Sequence, residues 1–520
     1  MKYLLWGDKE LKESFYFLFS DVLQEDCISA PSFCPIDLML DDSTDGYQII
    51  VCAYDAKKVS TCLEEKGLIY DKHYRFAHDF FEYFNFDLKN HTKGRDILVV
   101  GRLKYSKSIE RQYDVKVQNS ISPVKIDHLS RSREYYIIAG SLYYKFKKVA
   151  KKYGLVEYDD YVSETFLKYS SCEKILNKVF YSQRKYDFVC NRPFEMISVA
   201  PVCYVCCGGR MPFAIGNLNE QSWESIWKSN RRKIACLSIL NGSYVLCNEK
   251  YCPYLSVSKE DAESKVQKSA IDVIYNFDHL SFHLMPRRVL LEYDRSCNLS
   301  CPSCRKKYMR LSSFEEKVAN RITEIIMKDI MPYVEQVECA GYGEALFSKQ
   351  YMRILSSPLT KTKRLHLLSN GLLLTPDIWN RLLKEYQSVQ IEISVDAASA
   401  DVYKIVRGGN FELLLKNLKF LGDLRKTNLL SKYIINMTIS QKNVEDIAAF
   451  VRLGKQIHAD QVKLSAIHNW HWDNYVFKEY TIFDDEGNIQ KELLPYFTCE
   501  ELQDDIVYDN NIGFLYLGEK

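Results

Sequence analysis

The sequence predicts an α/β protein in which a partial (β/α)6 barrel follows a small Rossmann-like α/β domain and a cysteine-rich module. Three observations predict this architecture. Apolar runs of strand length alternate with helix-length segments over residues 286–475, which is typical of a parallel sheet with right-handed crossovers. Short β-rich runs recur within residues 1–124. Between the two regions, seven of the 17 cysteines lie from Cys190 to Cys252.

Six predicted strands define the barrel, and each gap between them is long enough for a helix. The strands are Val289–Tyr293, Val334–Cys339, Arg364–Ser369, Val389–Val395, Tyr433–Ile439 and Val462–Ile467. Ser313 and Glu316 form a capping-box pattern that marks the start of one helix, and a second helix is predicted over Asn443–Ile457. Six such units in about 190 residues predict a partial barrel, because a complete barrel has eight.

The other segments divide the chain into five further regions. They are a Rossmann-like domain at 1–124, a helical connector at 125–187, the cysteine-rich module at 188–256, a second connector at 257–285 and a C-terminal extension at 476–520. In the first region, strands are predicted over Lys2–Trp6, Tyr47–Tyr54 and Asp96–Val100, with helices over Lys57–Gly67 and Arg75–Tyr83. The fingerprint G-x-G-x-x-G is missing there, so we predict no dinucleotide, and a docking or scaffold role is at least equally supported.

The overall charge and the hydropathy pattern argue against two classes of partner. The formal net charge is only +2, which gives no global attraction to nucleic acid or to acidic membranes. No apolar stretch approaches the roughly 20 residues that span a bilayer. The first residues lack the apolar core and the small-residue cleavage site of a signal peptide. We therefore expect a cytoplasmic protein with no nucleic-acid or membrane partner.

Three cysteines stand directly after the first predicted barrel strand. Cys297, Cys301 and Cys304 follow the spacing C-x3-C-x2-C, at the end of a strand where β/α barrels carry their catalytic groups. In a reducing compartment, clustered cysteines indicate metal ligands or nucleophiles rather than disulfides. Three thiolates from one loop suit an iron–sulfur cluster with one iron left open. The alternative is structural zinc, with a fourth ligand from Cys339 or a distant histidine.

The loop sequence CNLSCPSC resembles the signature loop of the radical S-adenosylmethionine (SAM) superfamily, in which C-x3-C-x2-C follows the first barrel strand. The resemblance covers residues 287–475. It implies a [4Fe–4S] cluster held by Cys297, Cys301 and Cys304, with SAM bound at the open iron. It also implies that SAM is cleaved to methionine and a 5′-deoxyadenosyl radical, which abstracts hydrogen from a substrate C–H bond.

Further short motifs at successive strand ends are similar to the SAM-binding motifs of that superfamily. The stretch Cys339–Ala345 is similar to the G-G-E-P motif, whose backbone groups and acidic residue meet the amino group of SAM. Ser394 and Asp396 are similar to an S-x-D motif near the ribose, and Arg407, in an R-G-G stretch, is a candidate for the carboxylate. The resemblance assigns SAM binding to Gly341, Gly343, Glu344, Ser369, Asn370, Ser394, Asp396 and Arg407.

The cysteine-rich module resembles the SPASM or twitch module, which holds an auxiliary [4Fe–4S] cluster in many radical SAM enzymes. The resemblance rests on the cysteines and on the stretches Ile215–Leu218 and Trp223–Trp227. It implies four ligands and leaves Cys203 and Cys236 as spares. The ligands are Cys190, Cys206 or Cys207, Cys247 and Cys252. The module usually follows the barrel, whereas here it precedes it. A zinc-ribbon-like knuckle is the alternative, because C-x4-C with distant cysteines also suits zinc.

The function implied by these resemblances is that of a radical SAM enzyme acting on a peptide or protein side chain, because SPASM-bearing relatives often do so. One alternative keeps the enzyme and changes the substrate to a sugar or another small metabolite, which the Rossmann-like first domain favours. A second alternative is a non-catalytic iron–sulfur or zinc-binding scaffold. The resemblance also implies an electron donor such as flavodoxin or ferredoxin. Beyond the cofactor-binding residues, the sequence assigns no catalytic side chain.

Overall fold

The computed structural model of the chain shows two compact units. The first contains described residues from 2 to 194 and from 202 to 248, and the second contains those from 195 to 200, 249 to 255 and 285 to 509. The described residues are 2–23, 27–29, 47–84, 88–100, 118–121, 135–139, 143–156, 160–163, 167, 172–200, 202–249, 252, 255, 285–305, 307–339, 343–469 and 477–509. None of the helices in these ranges is long and apolar enough to cross a membrane.

The first unit contains two parallel sheets of four strands each. Its strands include β1 (Lys2–Gly7), β2 (Cys27–Ser29), β3 (Tyr47–Cys52), β4 (Tyr74–Phe76), β5 (Asp96–Val100), β6 (Gln118–Ile121), β7 (Tyr135–Ala139) and β8 (Tyr161–Ser163). The strand orders are β2-β1-β3-β4 and β6-β5-β7-β8, so the two sheets have the same topology. In each, the strand order reverses next to the first strand, as in doubly wound Rossmann-like folds.

Helices lie between and after these strands. The α-helices between residues 2 and 248 are Lys9–Leu23, Ala56–Glu65, Leu88–Thr92, Tyr143–Lys152, Glu173–Phe180, Arg192–Glu195, Trp223–Trp227 and Asn230–Leu240, and a 3-10 helix covers Ala77–Phe84. The N-terminal sheet is held by a buried apolar cluster that includes Ile49, Leu63 and Tyr74. A separate cluster around Ile137 and Phe146 holds the second sheet. Each sheet therefore has a core of its own.

The two sheets repeat one structural unit. In each, the helix before the fourth strand is followed by a glycine with left-handed backbone, Gly67 (φ 79°) and Gly154 (φ 69°). The same backbone hydrogen bond then closes the fourth strand in both copies, from Ile49 N to His73 O at 2.9 Å and from Ile137 N to Asp160 O at 3.0 Å. Equal topology and equal contacts indicate an internal duplication.

The second sheet changes the predicted boundary at residue 124. β7 and β8 lie within residues 125–187, which we predicted as a helical connector, and the structure gives that region strands as well as helices. Its tyrosine- and lysine-rich composition hid β7, because only the five residues YYIIA carry a strand pattern. Residues 75–83, predicted as a helix, are divided between β4 and the 3-10 helix.

A row of parallel strands forms the second unit. Next along the chain come β9 (Met196–Val199) and, in the first unit, β10 (Cys203–Tyr204). They are followed by β11 (Arg288–Leu291), β12 (Gln336–Cys339), β13 (Arg364–Ser369), β14 (Ser388–Ser394), β15 (Lys432–Ile439), β16 (Gln461–Ala466) and β17 (Val507–Asp509). β9 pairs with β11, and each strand from β11 to β17 pairs in parallel with the next.

Helical segments connect these strands. The α-helices are Ser313–Ile325, Lys349–Leu355, Pro358–Lys361, Pro376–Ile378, Ala400–Val406, Phe411–Lys426 and Ile447–Gln456. The π-helices are Ile326–Ile330 and Trp379–Leu383, and 3-10 helices cover Val444–Asp446, Lys491–Phe497 and Glu500–Gln503. Alternating strands and helices with parallel pairing are those of an α/β fold.

All six predicted barrel strands are present as β11 to β16, within two residues of the predicted bounds. β9 and β17 extend this row at its two ends. β9 lies within residues 188–256, so part of the segment predicted as the cysteine-rich module belongs to the sheet. The predicted capping box is one residue out of register, because Ser312 is the N-cap and Glu315 completes the box. The sequence SSFEE offers two Ser–Glu pairs at the same spacing, which explains the shift.

Polar side chains line one face of the central strands. Val389, Ile391 and Ile393 are buried on one face of β14, and Glu392 lies on the other, since side chains alternate along a strand. Glu392 is 4% exposed. Its Oε1 accepts hydrogen bonds from Lys463 Nζ at 2.9 Å and from Asn436 Nδ2 at 3.2 Å.

The Glu392 carboxylate makes the stability of the fold depend on pH in the acid range. Burial raises its pKa, but hydrogen bonding and charge from His366 and Lys463 outweigh burial and lower it to about 2, from 4.5. The carboxylate therefore stabilises the fold above about pH 4.5, and this contribution disappears as the pH falls towards 2. We expect Glu392→Gln to lose roughly 3 kcal/mol of stability at pH 7 and only about 1 kcal/mol at pH 2.5.

Urea unfolding at the two pH values checks this expectation, with the exposed Glu486→Gln as control. Equal destabilisation by Glu392→Gln at both pH values would contradict it.

Candidate active site

The loop that follows β11 brings the three predicted cysteines to one strand end. Cys297 N donates to Met309 O at 3.0 Å, which closes the loop on itself. Cys304 N donates to Cys301 O at 2.9 Å, which folds the C-x2-C segment into a turn. Cys297 and Cys301 are buried, whereas Cys304 is exposed. The loop thus presents three thiols from the carboxyl end of one strand.

Asp294 anchors the start of this loop. It is 2% exposed, and its Oδ1 accepts a hydrogen bond from Ser296 N at 2.9 Å. Its Oδ2 accepts a short hydrogen bond from Ser348 Oγ. Its backbone N donates to Tyr351 Oη at 2.9 Å. Sequence reasoning missed this residue; an acidic side chain directly after a buried strand was the available signal.

Two guanidinium groups contact the cysteine sulfurs. Arg305 lies 3.4 Å (Nε) and 3.2 Å (Nη2) from Cys304 Sγ. Arg407 Nη1 lies 3.8 Å from Cys301 Sγ. Thiolates are the ligands of iron–sulfur clusters, and the two guanidinium groups complement the negative charge that such a cluster carries. The donor set therefore fits a cluster bound through three cysteines.

Glu344 joins the ends of β12 and β13 to the cysteine loop. Its carboxylate, 1% exposed, accepts hydrogen bonds from Ser369 Oγ at 2.9 Å, Asn370 N at 2.7 Å and Leu346 N at 3.2 Å. Its backbone N donates to Ser296 O at 2.8 Å. Burial raises the pKa of this carboxyl. The residue predicted to meet the amino group of SAM thus braces the surrounding loops.

Two further residues in the predicted SAM set contact the same loop. Asn370 Nδ2 donates to Asn298 Oδ1 at 2.7 Å, between Cys297 and Cys301 in sequence. Gly343 packs against the loop backbone, because a Cβ built there would lie 2.6 Å from Ser296 O. Gly341 falls within residues 340–342, outside the described residues.

Asp396 and Arg407 form an ion pair near the cysteine loop. Arg407 Nε lies 2.8 Å from Asp396 Oδ2, and the two side chains are 15% and 12% exposed. Asp396 Oδ1 accepts from Thr438 N at 2.7 Å, which holds the aspartate at a left-handed φ of 63°. Ser394, two residues earlier, pairs across the sheet with Asn436. The structure thus brings together Glu344, Ser369, Asn370, Asp396 and Arg407 with the cysteine loop.

Three cysteines of the predicted auxiliary set lie close together in the first unit. A hydrogen bond from the Cys207 thiol lowers the pKa of Cys206. Cys190 is near enough for its charge to raise the same pKa. Cys190 N donates to Tyr244 Oη at 3.0 Å, and Cys247 N donates to Tyr244 O at 2.8 Å. Tyr244 thereby links the segments that carry Cys190 and Cys247.

Three other cysteines of the module, Cys203, Cys236 and Cys252, differ in their surroundings or in the unit to which they belong. Cys252 belongs to the second unit. Burial raises the pKa of Cys203 to about 12 and that of Cys236 to about 11. Cys236 Sγ donates to Pro193 O at 3.4 Å, so it is a satisfied buried thiol. Among the described residues, no group of three or more His, Cys, Asp or Glu is arranged to hold a single metal ion.

Arg232 fixes the backbone that follows Cys190. Its guanidinium, 2% exposed, donates to the carbonyls of Pro193 at 3.4 Å, Phe194 at 3.1 Å and Trp227 at 3.1 Å. It also lies 3.6 Å from the centroid of the Trp227 ring. The run NRRK is typical of a solvated helix start, so nothing in the local pattern predicts a buried arginine.

The fold and the site define an α/β protein with three cysteines in the loop at the carboxyl end of β11. Residues 292–454 match the family described as the Radical SAM superfamily. This match confirms the resemblance carried by the cysteine loop. A match to this family implies a [4Fe–4S] cluster and SAM as cofactors.

Two similar proteins with known names are both partial matches. The chain is 28% identical over 183 residues to the AdoMet-dependent heme synthase of Methanosarcina barkeri, covering 34% of this chain and 48% of that protein. It is 24% identical over 173 residues to the mycofactocin maturase MftC of Mycolicibacterium smegmatis, covering 32% and 41%. The chain thus spans less than half the length of these curated relatives.

Two solved structures are also partial matches to the chain. Streptococcus suis SuiB bound to precursor peptide SuiA matches with a TM-score of 0.33 at 14% identity, covering 49% of this chain and 54% of that chain. A structure of TYW1 with a lysine-pyruvate adduct matches with a TM-score of 0.27 at 19% identity, covering 38% and 69%.

Proposed function

We propose that this chain cleaves SAM reductively and uses the resulting 5′-deoxyadenosyl radical to abstract hydrogen from a substrate. The observation that carries the proposal is the loop after β11, where Cys297, Cys301 and Cys304 stand at one strand end with two guanidinium groups on their sulfurs. A [4Fe–4S] cluster held there would supply the electron for cleavage of the sulfonium. The chain's own residues would bind and orient SAM and the substrate and would exclude water from them.

The proposed SAM-binding residues are Gly341, Gly343, Glu344, Ser369, Asn370, Ser394, Asp396 and Arg407. Their contacts indicate different roles for Glu344 and Arg407. Glu344 uses its carboxylate to set the positions of Ser369 and Asn370, so its own role towards SAM is indirect. Arg407 carries a positive charge between Asp396 and Cys301, where it would neutralise a carboxylate of the bound cofactor.

We propose a peptide or protein side chain as substrate. The resemblance of the cysteine-rich module to SPASM modules and the relative named a mycofactocin maturase support this choice. A small metabolite is the second candidate. The duplicated Rossmann-like sheets favour it, and so do the relatives named a heme synthase and a probable GTP 3′,8-cyclase. In either case a one-electron donor such as flavodoxin or ferredoxin would reduce the cluster, and a cytoplasmic location suits oxygen-sensitive iron.

An auxiliary cluster is the further element of this proposal. Its ligands would be Cys190, Cys206 or Cys207, Cys247 and Cys252. Support comes from the proximity of Cys190 to the Cys206–Cys207 pair and from the arginines at 192 and 210, whose charges lower the pKa of Cys206. The satisfied, buried Cys203 and Cys236 remain outside this set.

One experiment tests both clusters. We expect anaerobically reconstituted protein to form 5′-deoxyadenosine from SAM with dithionite, and a Cys297/Cys301/Cys304→Ala variant to form none. The variant should lose about four irons per chain and keep about four, since each cluster holds four. Mass spectrometry of the nucleoside and iron analysis are the measurements. Zinc without iron in the wild type would contradict the radical mechanism and favour a scaffold, and an iron-free variant would contradict the auxiliary cluster.

A further inference from the structure

The hydroxyl of Tyr403 is buried next to the three-cysteine loop without a hydrogen-bond partner. The residue is 0% exposed, and within the described part of the chain its hydroxyl meets no donor or acceptor. Buried tyrosine hydroxyls usually find a partner, because an unpaired polar group in the interior destabilises the fold. An unpaired buried hydroxyl at a cofactor site therefore points to a hydrogen bond that forms when the cofactor is bound.

The ring of Tyr403 is held firmly against the loop. It projects from the helix Ala400–Val406 and packs on Phe411, with ring centroids 5.4 Å apart. A Cβ built at Gly409 would lie 3.0 Å from the ring, 3.1 Å from the hydroxyl oxygen and 3.2 Å from Leu299. Leu299 stands between Cys297 and Cys301, so the hydroxyl is close to the loop that would hold the cluster.

Among the titratable neighbours of the hydroxyl, one acceptor stands out. The titratable groups that act on the hydroxyl are Arg407, Cys301, Asp396 and Glu344. A guanidinium only donates hydrogen bonds. The oxygens of Glu344 and Asp396 already accept hydrogen bonds or pair with an arginine, as described above. The sulfur of Cys301 is less engaged, with one long contact at 3.8 Å from Arg407 Nη1, and a ligating thiolate accepts hydrogen bonds.

We propose that Tyr403 is a positioning residue for the cluster, whose hydroxyl donates a hydrogen bond to the ligating sulfur of Cys301. This inference rests on the proposed function. The same sulfur has Arg407 Nη1 at 3.8 Å, so two donors would converge on it. Hydrogen bonds to cluster sulfurs favour the more negative, reduced form and so raise the reduction potential. Tyr403 would therefore make the cluster easier to reduce.

The test compares Tyr403→Phe with the wild type and with Tyr433→Phe, in the anaerobically reconstituted full chain. Tyr433 is an equally buried tyrosine whose hydroxyl already donates to Leu418 O at 3.2 Å. The readout is the midpoint potential of the EPR signal that disappears in the Cys297/Cys301/Cys304→Ala variant. We expect Tyr403→Phe to make reduction about tenfold less favourable, a shift of about 59 mV to more negative potential for one electron.

The control should behave in the opposite way. Tyr433→Phe loses a satisfied hydrogen bond, so it should melt at lower temperature and keep the wild-type potential. Cluster-free Tyr403→Phe should melt no lower than the wild type, since it loses no protein hydrogen bond. Gly409→Ala, which pushes on the Tyr403 ring, gives a second variant and should shift the potential in the same direction.

The outcomes separate this inference from the proposed function. An unchanged potential in both Tyr403→Phe and Gly409→Ala, with iron content and SAM cleavage intact, would overturn the role of Tyr403 alone. An equal shift in Tyr433→Phe would overturn it as well. A wild-type protein with no iron on the three cysteines would overturn the proposed function, and this inference with it.

Discussion

Replacing Gly343 with alanine is expected to lower 5′-deoxyadenosine formation by about 100-fold and to weaken cluster binding. The added Cβ would lie 2.6 Å from Ser296 O, 2.7 Å from Asp294 O and 3.0 Å from Arg295 C. All three atoms belong to the backbone of the cysteine loop, which cannot rotate away as a side chain can. Overpacking of this kind costs about 1–3 kcal/mol, and a shift of about 1 Å in a reacting group costs about 100-fold in rate.

The measurement combines iron content, SAM binding and nucleoside formation in the same preparation. Gly208→Ala is a suitable control, because its added Cβ would meet only the side chain of Tyr204, at 3.3 Å or more. We expect the control to keep nucleoside formation within about twofold of the wild type. Normal activity in Gly343→Ala would show that the loop tolerates displacement and would contradict the close packing seen here.

The barrel strands and the cluster loop were predictable because their signals are local. Each strand from β11 to β16 is a short apolar run, and each gap has helix length. The spacing of Cys297, Cys301 and Cys304 directly after β11 is readable in eight residues. A strand or loop that is specified by neighbouring residues can be recognised from its local pattern. For that reason the predicted and observed strand bounds agree within two residues.

Residues that support the site were not predictable, because their partners lie far away along the chain. Asp294 meets Ser348 across 54 positions, and the pattern around either residue carries no trace of the other. Tyr403 sits on an ordinary helix face, and only the fold places its hydroxyl near Cys301. The internal duplication was not predicted from the sequence for another reason. β7 is a five-residue strand in a segment rich in lysine and tyrosine, so composition outweighed periodicity.

Replacing Arg232 with alanine is expected to destabilise the first unit by roughly 4 kcal/mol. The side chain is the donor for the carbonyls of Pro193, Phe194 and Trp227, and its loss leaves all three without that partner in a buried site. It also removes the cation that lies over the Trp227 ring. Burial lowers the pKa of the guanidinium to about 10, which still leaves it charged at neutral pH.

The consequence for the proposed auxiliary cluster follows from the position of these carbonyls. Pro193 and Phe194 follow Cys190 by only a few residues, so a loosened backbone there would displace a proposed ligand. We expect Arg232→Ala to lose iron from the auxiliary cluster while the iron on Cys297, Cys301 and Cys304 is kept. Hydrogen exchange over Asn230–Leu240, together with iron analysis, checks both effects.

The neighbouring arginine provides the matched control. Arg231 is also on the first turn of the same helix, but it is only half-buried; its Nε donates to the carbonyl of Ala214 at 2.6 Å, and its guanidinium lies 4.0 Å from the centroid of the Phe213 ring. Arg231→Ala should therefore cost less than Arg232→Ala and keep its iron. Arg232→Lys keeps the charge but lacks the planar fork that reaches several carbonyls, so it should fall between the two. If Arg231→Ala and Arg232→Ala had equal effects, the loss would come from the helix in general, and the special role of Arg232 would be refuted.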